Sequence, residues 1–190
     1  MRMKKYVKAA FIAGLLIIGT NLMKAQDATV PVMPVDNESK LISFTAVKEI
    51  KGVSASELYK RAFKWFNTFY KNPTDVIRSA DSVEGKIVGK ARFMIYSDLK
   101  ASPKIEGGLE MYTITVSARD GRYKYEITSI NWKQNSYYPI ERWQDTKSPS
   151  YSKVYDSYLI QTNDYVNDLI TKLTAAMSLP STVKSTKDNW

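Results

Sequence analysis

The fold of this chain is decided by residues 109–131, LEMYTITVSARDGRYKYEITSIN. Apolar and polar side chains alternate on both sides of a central turn, as they do in two strands that bury one face. Glycine in the Arg119-Asp120-Gly121 turn accepts the positive φ that a returning chain needs. These residues therefore predict a β-hairpin whose buried face is formed by Tyr112, Ile114, Val116, Tyr123, Tyr125 and Ile127.

Shorter alternating runs extend the sheet beyond this hairpin. Three further strands are predicted, over residues 40–50, 76–81 and 86–96. In the last of them Lys86, Lys90 and Arg92 alternate with apolar residues and are expected to face solvent. After the hairpin turn the alternation slips near Ile130 and Trp132, which predicts a bulge or the end of the strand.

Two segments have helical spacing instead. Ser54 begins a Ser-Ala-Ser-Glu pattern, in which Ser54 can cap a helix and Glu57 can bond back to the cap. We expect this helix to end near Lys71. Residues 152–178 carry apolar side chains at helical intervals and predict a second helix, with a bend or a break at Asn163 left open.

The predicted elements follow the order strand, helix, four strands, helix, which is typical of an α+β fold. Strands joined by hairpins form an antiparallel sheet, and the two helices should cover its apolar face in a two-layer domain. The other face is then left for solvent or a ligand. Residues 133–150 show no clean period and predict a long loop, the part of the chain best suited to a function.

The N-terminal residues have the pattern of a secretory signal peptide: basic residues, no acid, and an apolar run over residues 9–18. That run is shorter than the roughly 20 residues that span a bilayer, which favours cleavage after Ala25 over an uncleaved membrane anchor. We therefore expect a periplasmic or secreted protein with no transmembrane span after cleavage. The predicted organisation is a signal peptide (1–25), a linker (26–39), a single α+β domain (40–180) and a flexible tail (181–190).

The positive charge of the chain is concentrated in this leader. Of the 28 basic residues, five lie in residues 1–25, whereas none of the 19 acidic residues does, so the remaining chain has an excess of +4 rather than +9. A solvated surface needs about that much charge for solubility. The charge therefore gives no reason to expect nucleic acid as a partner, and the sequence indicates no oligomeric state.

Chemistry is restricted because the sequence has no histidine and no cysteine. Mechanisms that use a histidine base or a thiol nucleophile are excluded. Asp164 and Asp168 could form a carboxylate pair on the last helix, although a solvated helix face explains them as well. Asp75, Asp81 and Glu84 lack the spacing of a calcium loop and are explained by turns. We predict no catalytic residue, no cofactor and no metal ligand.

Aromatic residues near the predicted loop are better candidates for function. Seven rings fall within residues 132–158: Trp132, Tyr137, Tyr138, Trp143, Tyr151, Tyr155 and Tyr158. Such rings can stack on sugars or anchor the side chains of a partner, or they can close the core beneath the loop. We expect Tyr137, Tyr138 and Trp143 to be exposed and to form the interaction site.

A basic helix face is a second candidate surface. Lys60, Arg61 and Lys64 are predicted to share the polar side of the first helix. They could meet an anionic polymer of the cell envelope, or they could simply be solvated.

Five segments between Lys40 and Asn131 share a pattern with a known family. They are Phe44-Thr45-Ala46-Val47, Gly52-Val53-Ser54, Glu57-Leu58-Tyr59 with Ala62 and Trp65, Gly85-Lys86-Ile87-Val88-Gly89-Lys90, and Asp120-Gly121-Arg122-Tyr123. On these segments the chain resembles the domain-of-unknown-function 4468 family. The resemblance implies a TATA-box-binding-protein-like fold, a curved antiparallel sheet backed by helices, in exported bacterial proteins with no established activity. It implies no site residues, and the name of the fold does not imply DNA binding.

Three functions are left open at this point. The preferred one is a non-enzymatic envelope domain that binds a protein or polymer through the open sheet face and residues 133–150. The second is a carrier of an apolar or lipid ligand, held between the sheet and the helices. The third is a carboxylate-dependent hydrolase of envelope glycan, which needs two acids that face one cleft.

Overall fold

The computed structural model describes residues 29–133 and 136–180. The predicted signal peptide (1–25) and tail (181–190) lie outside the described residues. The strands are β1 (Phe44–Glu49), β2 (Ile77–Asp81), β3 (Lys86–Asp98), β4 (Ile105–Arg119), β5 (Arg122–Lys133) and β6 (Tyr137–Pro139). The helices are α1 (Ala55–Phe69), the short α2 (Pro73–Val76) and α3 (Val154–Met177), with a 3-10 helix over Ile140–Gln144.

The six strands form one antiparallel sheet in the order β1-β5-β4-β3-β2, with β6 paired to the end of β5. β4 and β5 form the predicted hairpin, in which Ile114 lies opposite Ile127. Both side chains are fully buried, because α1 and α3 pack on this face of the sheet. The predicted α+β class is confirmed, and β6 is a strand that the sequence pattern did not indicate.

The slip in the alternation of β5 is a β-bulge. Met111 pairs with Asn131 and Thr113 pairs with Thr128, so two residues of β5 lie opposite one residue of β4. One of these two, Ser129, has a φ of 53°. The extra residue shifts the alternation by one position, so that β5 continues past the slip instead of ending there.

The start of α1 is held by two side chains. Oγ of Ser54 accepts a hydrogen bond from the N–H of Glu57 at 3.3 Å, as predicted. Oδ1 of Asp120, in the turn between β4 and β5, accepts from the N–H of Ala55 at 2.7 Å. The hairpin turn therefore caps the helix from outside it. The side chain of Glu57 does not return to the cap as predicted but pairs with Arg61.

α3 is one continuous helix of 24 residues, without a break at Asn163. Its Tyr165 ring stacks on Phe93 of β3 at a centroid distance of 3.9 Å. The hydroxyl of Tyr165 lies 3.0 Å from that of Tyr112 in β4, which lies 3.1 Å from that of Tyr70 at the end of α1. This chain of hydroxyls gives buried polar atoms their partners and links both helices to the sheet.

Gly89 of β3 lets α1 approach the sheet closely. A Cβ atom at this position would lie 2.8 Å from Cε1 of Phe66 and 3.2 Å from Cγ2 of Ile114. Both of these neighbouring side chains are fully buried. The space between α1 and the sheet is therefore filled at this point, and only a residue without a side chain fits there.

A side chain of α3 closes part of the edge of β3. β2 pairs with β3 only as far as Gly89, so the edge of β3 beyond it has no partner strand among the described residues. The side-chain amide of Gln161 accepts from the N–H of Tyr96 at 3.0 Å and donates to the Tyr96 carbonyl at 2.9 Å. The amide takes the place that a neighbouring backbone would otherwise occupy.

The residues before β1 differ from the linker predicted over residues 26–39. Met33 is only 3% exposed and belongs to the core. Val35 forms a β-bridge with Ile42, whose N–H donates to Oε1 of Glu141 at 2.7 Å. Val30 packs against the same core, and the N–H of Ser43 donates to the carbonyl of Pro34 at 2.9 Å. The folded domain thus begins before residue 40.

Candidate binding surfaces

Four aromatic rings form a packed cluster beside the end of the sheet. Trp143, in the 3-10 helix, lies 5.7 Å from Trp132, 5.5 Å from Tyr155 and 5.4 Å from Tyr158 between ring centroids. It is 3% exposed. The prediction that Trp143 is exposed is wrong, because the segment 133–150 is not a simple loop and its 3-10 helix places this ring in the core.

The two tyrosines of β6 are exposed. Tyr137 and Tyr138 are 59% and 42% exposed and lie opposite Lys133 and Trp132 of β5. Nζ of Lys133 lies 6.0 Å from the centroid of the Tyr137 ring, so a cation accompanies an accessible ring. These two residues, unlike Trp143, are available to a partner as predicted.

The basic residues predicted on one face of α1 are not equivalent. Lys60 and Lys64 are exposed, whereas Arg61 is 8% exposed. Its Nε pairs with Oε1 of Glu57 at 3.0 Å, and its Nη1 donates to the carbonyl of Met177 at 2.8 Å. The prediction that Arg61 belongs to a solvated face is wrong, because this side chain joins α1 to the end of α3.

The spacing of residues along α1 could have predicted the burial of Arg61, although its charge favours exposure. Arg61 follows the buried Leu58 by three residues and precedes the buried Trp65 by four. It therefore occupies the apolar stripe of α1 and not its polar side.

A groove of about 350 Å³ lies between α1 and the end of α3. Arg61 and Trp65 contribute buried side chains to it, and Lys60 and Lys64 contribute exposed ones. Leu179 and Pro180, which follow α3, form an apolar wall. The sequence does not indicate this groove, because the groove depends on where two helices that are distant in the chain come together.

The face of the sheet away from α1 and α3 is polar. Its rows of residues run across four strands: Thr45, Glu126, Thr115 and Val88 in one row, and Val47, Lys124, Ser117 and Lys86 in the next. Lys124 and Glu126 form an ion pair at 2.7 Å, which confirms that they share this face. We call this surface the open face.

A second groove, of about 500 Å³, runs beside the unpaired edge of β3. Its basic lining residues are Lys71, Arg78, Lys90 and Arg92, and its single acid is Asp75. Lys90 and Arg92 are exposed and alternate with the buried residues of β3, so they also belong to the open face. The two surfaces form one continuous cationic region.

The acidic residues considered for catalysis or metal binding do not converge. Asp164 and Asp168 are exposed on α3, and Asp168 pairs with Lys172 at 2.6 Å. Asp81 accepts hydrogen bonds from the backbone of its own turn, at Val83 and Glu84. In the ranges 29–133 and 136–180 no group of three or more acids, cysteines or histidines is placed to hold a metal ion.

One acid is fully buried. Glu110 of β4 has no exposed surface, and burial raises the pKa of its carboxyl to about 8, partly offset by the hydrogen bond with Thr162. Its Oε2 has no hydrogen-bond partner. Glu110 shares the inner face with Tyr112, two residues along β4, and the alternation of the strand could have indicated its burial. It lines neither groove.

The strands β1 to β5 lie in a segment that matches a known protein family. Residues 44–133 match a family described as a domain of unknown function (DUF4468) with a TBP-like fold. Residues 44–133 are thus similar to the DUF4468 family. The resemblance found in the sequence is thus confirmed. The DUF4468 match includes β1 to β5, and hence the open face, Arg61 and Trp65, whereas Tyr137 and Tyr138 lie outside it.

Solved structures share the fold of this domain. A DUF4468 family protein from Bacteroides ovatus has a TM-score of 0.64 and 21% identity, over 82% of this chain and 96% of its own. A TBP-like protein from Parabacteroides distasonis has a TM-score of 0.63 and 16% identity, over 78% of this chain and 99% of its own. No curated protein matches the chain. Within the described ranges, no helix has the length and apolar content that crossing a membrane requires.

Proposed function

We propose that this protein is an exported, non-enzymatic domain of the cell envelope that binds an anionic protein or polymer through the open face. The observation that carries the proposal is the continuity of the open face with the groove at the edge of β3. Lys90 and Arg92 belong to both. A partner with spaced negative charges would meet several cations at once, and such contacts add where single surface pairs are weak.

The proposed location rests on the leader. Residues 1–25 have a basic start, an apolar stretch and a small residue before the expected cleavage bond. We place the mature protein in the periplasm or outside the cell, where a protein without cysteine is unaffected by the redox conditions.

The proposed absence of catalysis rests on the acids and on the composition. With no histidine and no cysteine in the chain, carboxylates would have to supply acid and base. Asp164 and Asp168 lie exposed on one helix, and Glu110 is enclosed in the core. A glycan hydrolase needs two carboxylates on opposite sides of a substrate cleft, so this alternative has no support.

The alternative of an apolar carrier is weakened by the packing between the layers. The side chain of Phe66 fills the space against Gly89, and Leu169 and Leu173 of α3 are fully buried. A carried lipid would need a cavity of several hundred cubic ångströms between these residues.

Charge reversal on the open face tests the proposal. The double variant Lys90→Glu/Arg92→Glu should lose binding to anionic polymer isolated from the native envelope, measured by co-sedimentation at low and moderate salt. The matched control Lys100→Glu/Lys147→Glu changes the net charge equally at exposed positions outside this surface. Equal loss of binding in both variants would show that only the net charge of the protein matters. Unchanged binding of the first variant would refute the proposed surface.

A second pair of substitutions tests the contribution of β6. Tyr137→Ala/Tyr138→Ala removes two exposed rings and should weaken binding further if the partner extends past the sheet. Circular dichroism of this variant should be unchanged, since neither ring belongs to the core.

A further inference from the structure

Two hydrogen-bond donors on α1 are buried and have no partner. They are Nη2 of Arg61 and Nε1 of Trp65. The two side chains are 8% and 4% exposed, so bulk water does not satisfy these nitrogens. Buried donors without partners are rare in folded proteins, and a bound acceptor is one way to satisfy them.

The guanidinium of Arg61 is fixed in orientation. Its Nε pairs with Glu57, and its Nη1 donates to the carbonyl of Met177. Two of its three nitrogens are therefore committed to the fold, and Nη2 is the one left for a ligand. A donor that is held in place before binding loses little freedom when it binds.

Arg61 and Trp65, the residues that carry these donors, both line the groove between α1 and the end of α3. The exposed Lys60 and Lys64 stand beside it, and its one acid, Glu57, is already paired with Arg61. The groove thus offers positive charge and N–H donors together, which is the combination that recognises an oxyanion.

The other walls of the groove are apolar apart from Thr68. They are formed by Ala176, Leu179 and Pro180, with the ring of Trp65. The volume of about 350 Å³ is at the small end of the range for pockets that hold organic ligands. A bare inorganic anion would leave these walls uncovered.

We propose that this groove binds a small organic carboxylate that carries an apolar group. The carboxylate accepts from Nη2 of Arg61 and Nε1 of Trp65, and the apolar group covers Leu179 and Pro180. This site lies on the helix side of the sheet and is independent of the macromolecular partner proposed for the open face.

Decanoate and decanol, as probes of equal chain length, test the carboxylate. Decanoate should bind roughly tenfold more tightly than decanol, as expected for a hydrogen bond to a charged group. The indole N–H resonance of Trp65, assigned by its loss in Trp65→Phe, should move on addition of decanoate only. Equal affinity for the two probes, or an unmoved indole resonance, would overturn the proposal.

Two variants separate the roles of the donor and of the wall. Trp65→Phe keeps an aromatic ring but removes the N–H donor. This variant should lower the affinity for decanoate by roughly fivefold and leave the affinity for decanol unchanged. Leu179→Asp replaces a side chain that is 55% exposed, so the fold should persist. Because this variant puts a charge in the apolar wall, it should abolish the binding of both probes. Unchanged decanoate binding in Leu179→Asp would place the ligand elsewhere, and Lys147→Gln, which changes the net charge equally, provides the charge control.

Discussion

Oγ1 of Thr162 lies 2.7 Å from Oε1 of Glu110 and 2.8 Å from the carbonyl oxygen of Tyr158. A hydroxyl has one proton and can donate to only one of these two oxygens. Because burial raises the pKa of Glu110 to about 8, its carboxyl is protonated at neutral pH. The hydrogen bond that Thr162 donates to the carboxyl offsets the effect of burial only in part, so the neutral form of Glu110 is favoured.

The pH dependence of stability should therefore carry a contribution from Glu110. Its pKa is about 8 in the folded protein, against 4.5 for the ordinary carboxyl. The contribution to stability is fully present below pH 4.5 and is lost as the pH rises toward 8, since the unfolded chain releases this proton first. Glu110→Gln should remove that loss of stability, which is about 5 kcal/mol.

Urea unfolding of both proteins at several pH values between 4 and 9 measures this effect. Glu106→Gln, at an exposed position of the same strand, is the control and should keep the pH dependence of the parent protein. Parallel stability curves for Glu110→Gln and the parent would show that the buried carboxyl is not the cause.

Trp143 and Tyr137 should respond differently to truncation. Trp143→Ala removes a buried ring from the aromatic cluster and should cost roughly 3–5 kcal/mol in the free energy of unfolding. Tyr137→Ala changes an exposed ring and should stay within about 0.5 kcal/mol. Thermal unfolding of the two variants distinguishes them, and a stable Trp143→Ala protein would contradict the core position of this ring.

Gly89→Ala should destabilise the contact between α1 and the sheet. The added Cβ would meet Cε1 of Phe66 at 2.8 Å, and overpacking of this kind costs roughly 1–3 kcal/mol. The double variant Gly89→Ala/Phe66→Leu should recover part of the loss, because the smaller side chain makes room. A double-mutant cycle by urea unfolding measures the coupling, and additive effects would show that the two sites do not touch.

The caps of α1 should contribute additively from two parts of the chain. Asp120→Ala removes the acceptor for the N–H of Ala55, and Ser54→Ala removes that for Glu57. Each substitution should lower the free energy of unfolding by about 1 kcal/mol, because one N–H group at the start of α1 loses its acceptor. Amide hydrogen exchange of the first turn of α1 should increase in both variants, whereas unchanged protection would mean that water replaces the caps.

The fold could be predicted from the sequence where one periodicity covers a whole element. The hairpin of β4 and β5 and the apolar stripe of α1 each repeat their pattern over several residues, so single exceptions do not obscure them. β6 and the docking of Met33 could not be predicted, because each is a segment too short to show a periodicity of its own. β6 depends on pairing with β5, and Met33 depends on packing against the core.

The candidate surfaces were harder to predict than the fold. Exposure of Tyr137 follows from its place on a short edge strand, whereas Trp143, six residues later, turns inward with the 3-10 helix. Residue type alone does not distinguish the two positions, because both residues are aromatic. The spacing of α1 could have indicated the burial of Arg61, but not its partner, because the carbonyl of Met177 comes from the end of another helix.

The bonds between Gln161 and Tyr96 have a consequence for the behaviour of the protein in concentrated solution. An exposed strand edge can recruit a strand from another copy and so start a growing aggregate. At Tyr96 both backbone groups are already taken by a side chain of the same molecule. A second copy would have to displace both bonds before pairing there, so the helix that covers the core also protects this position of the sheet edge from pairing between molecules.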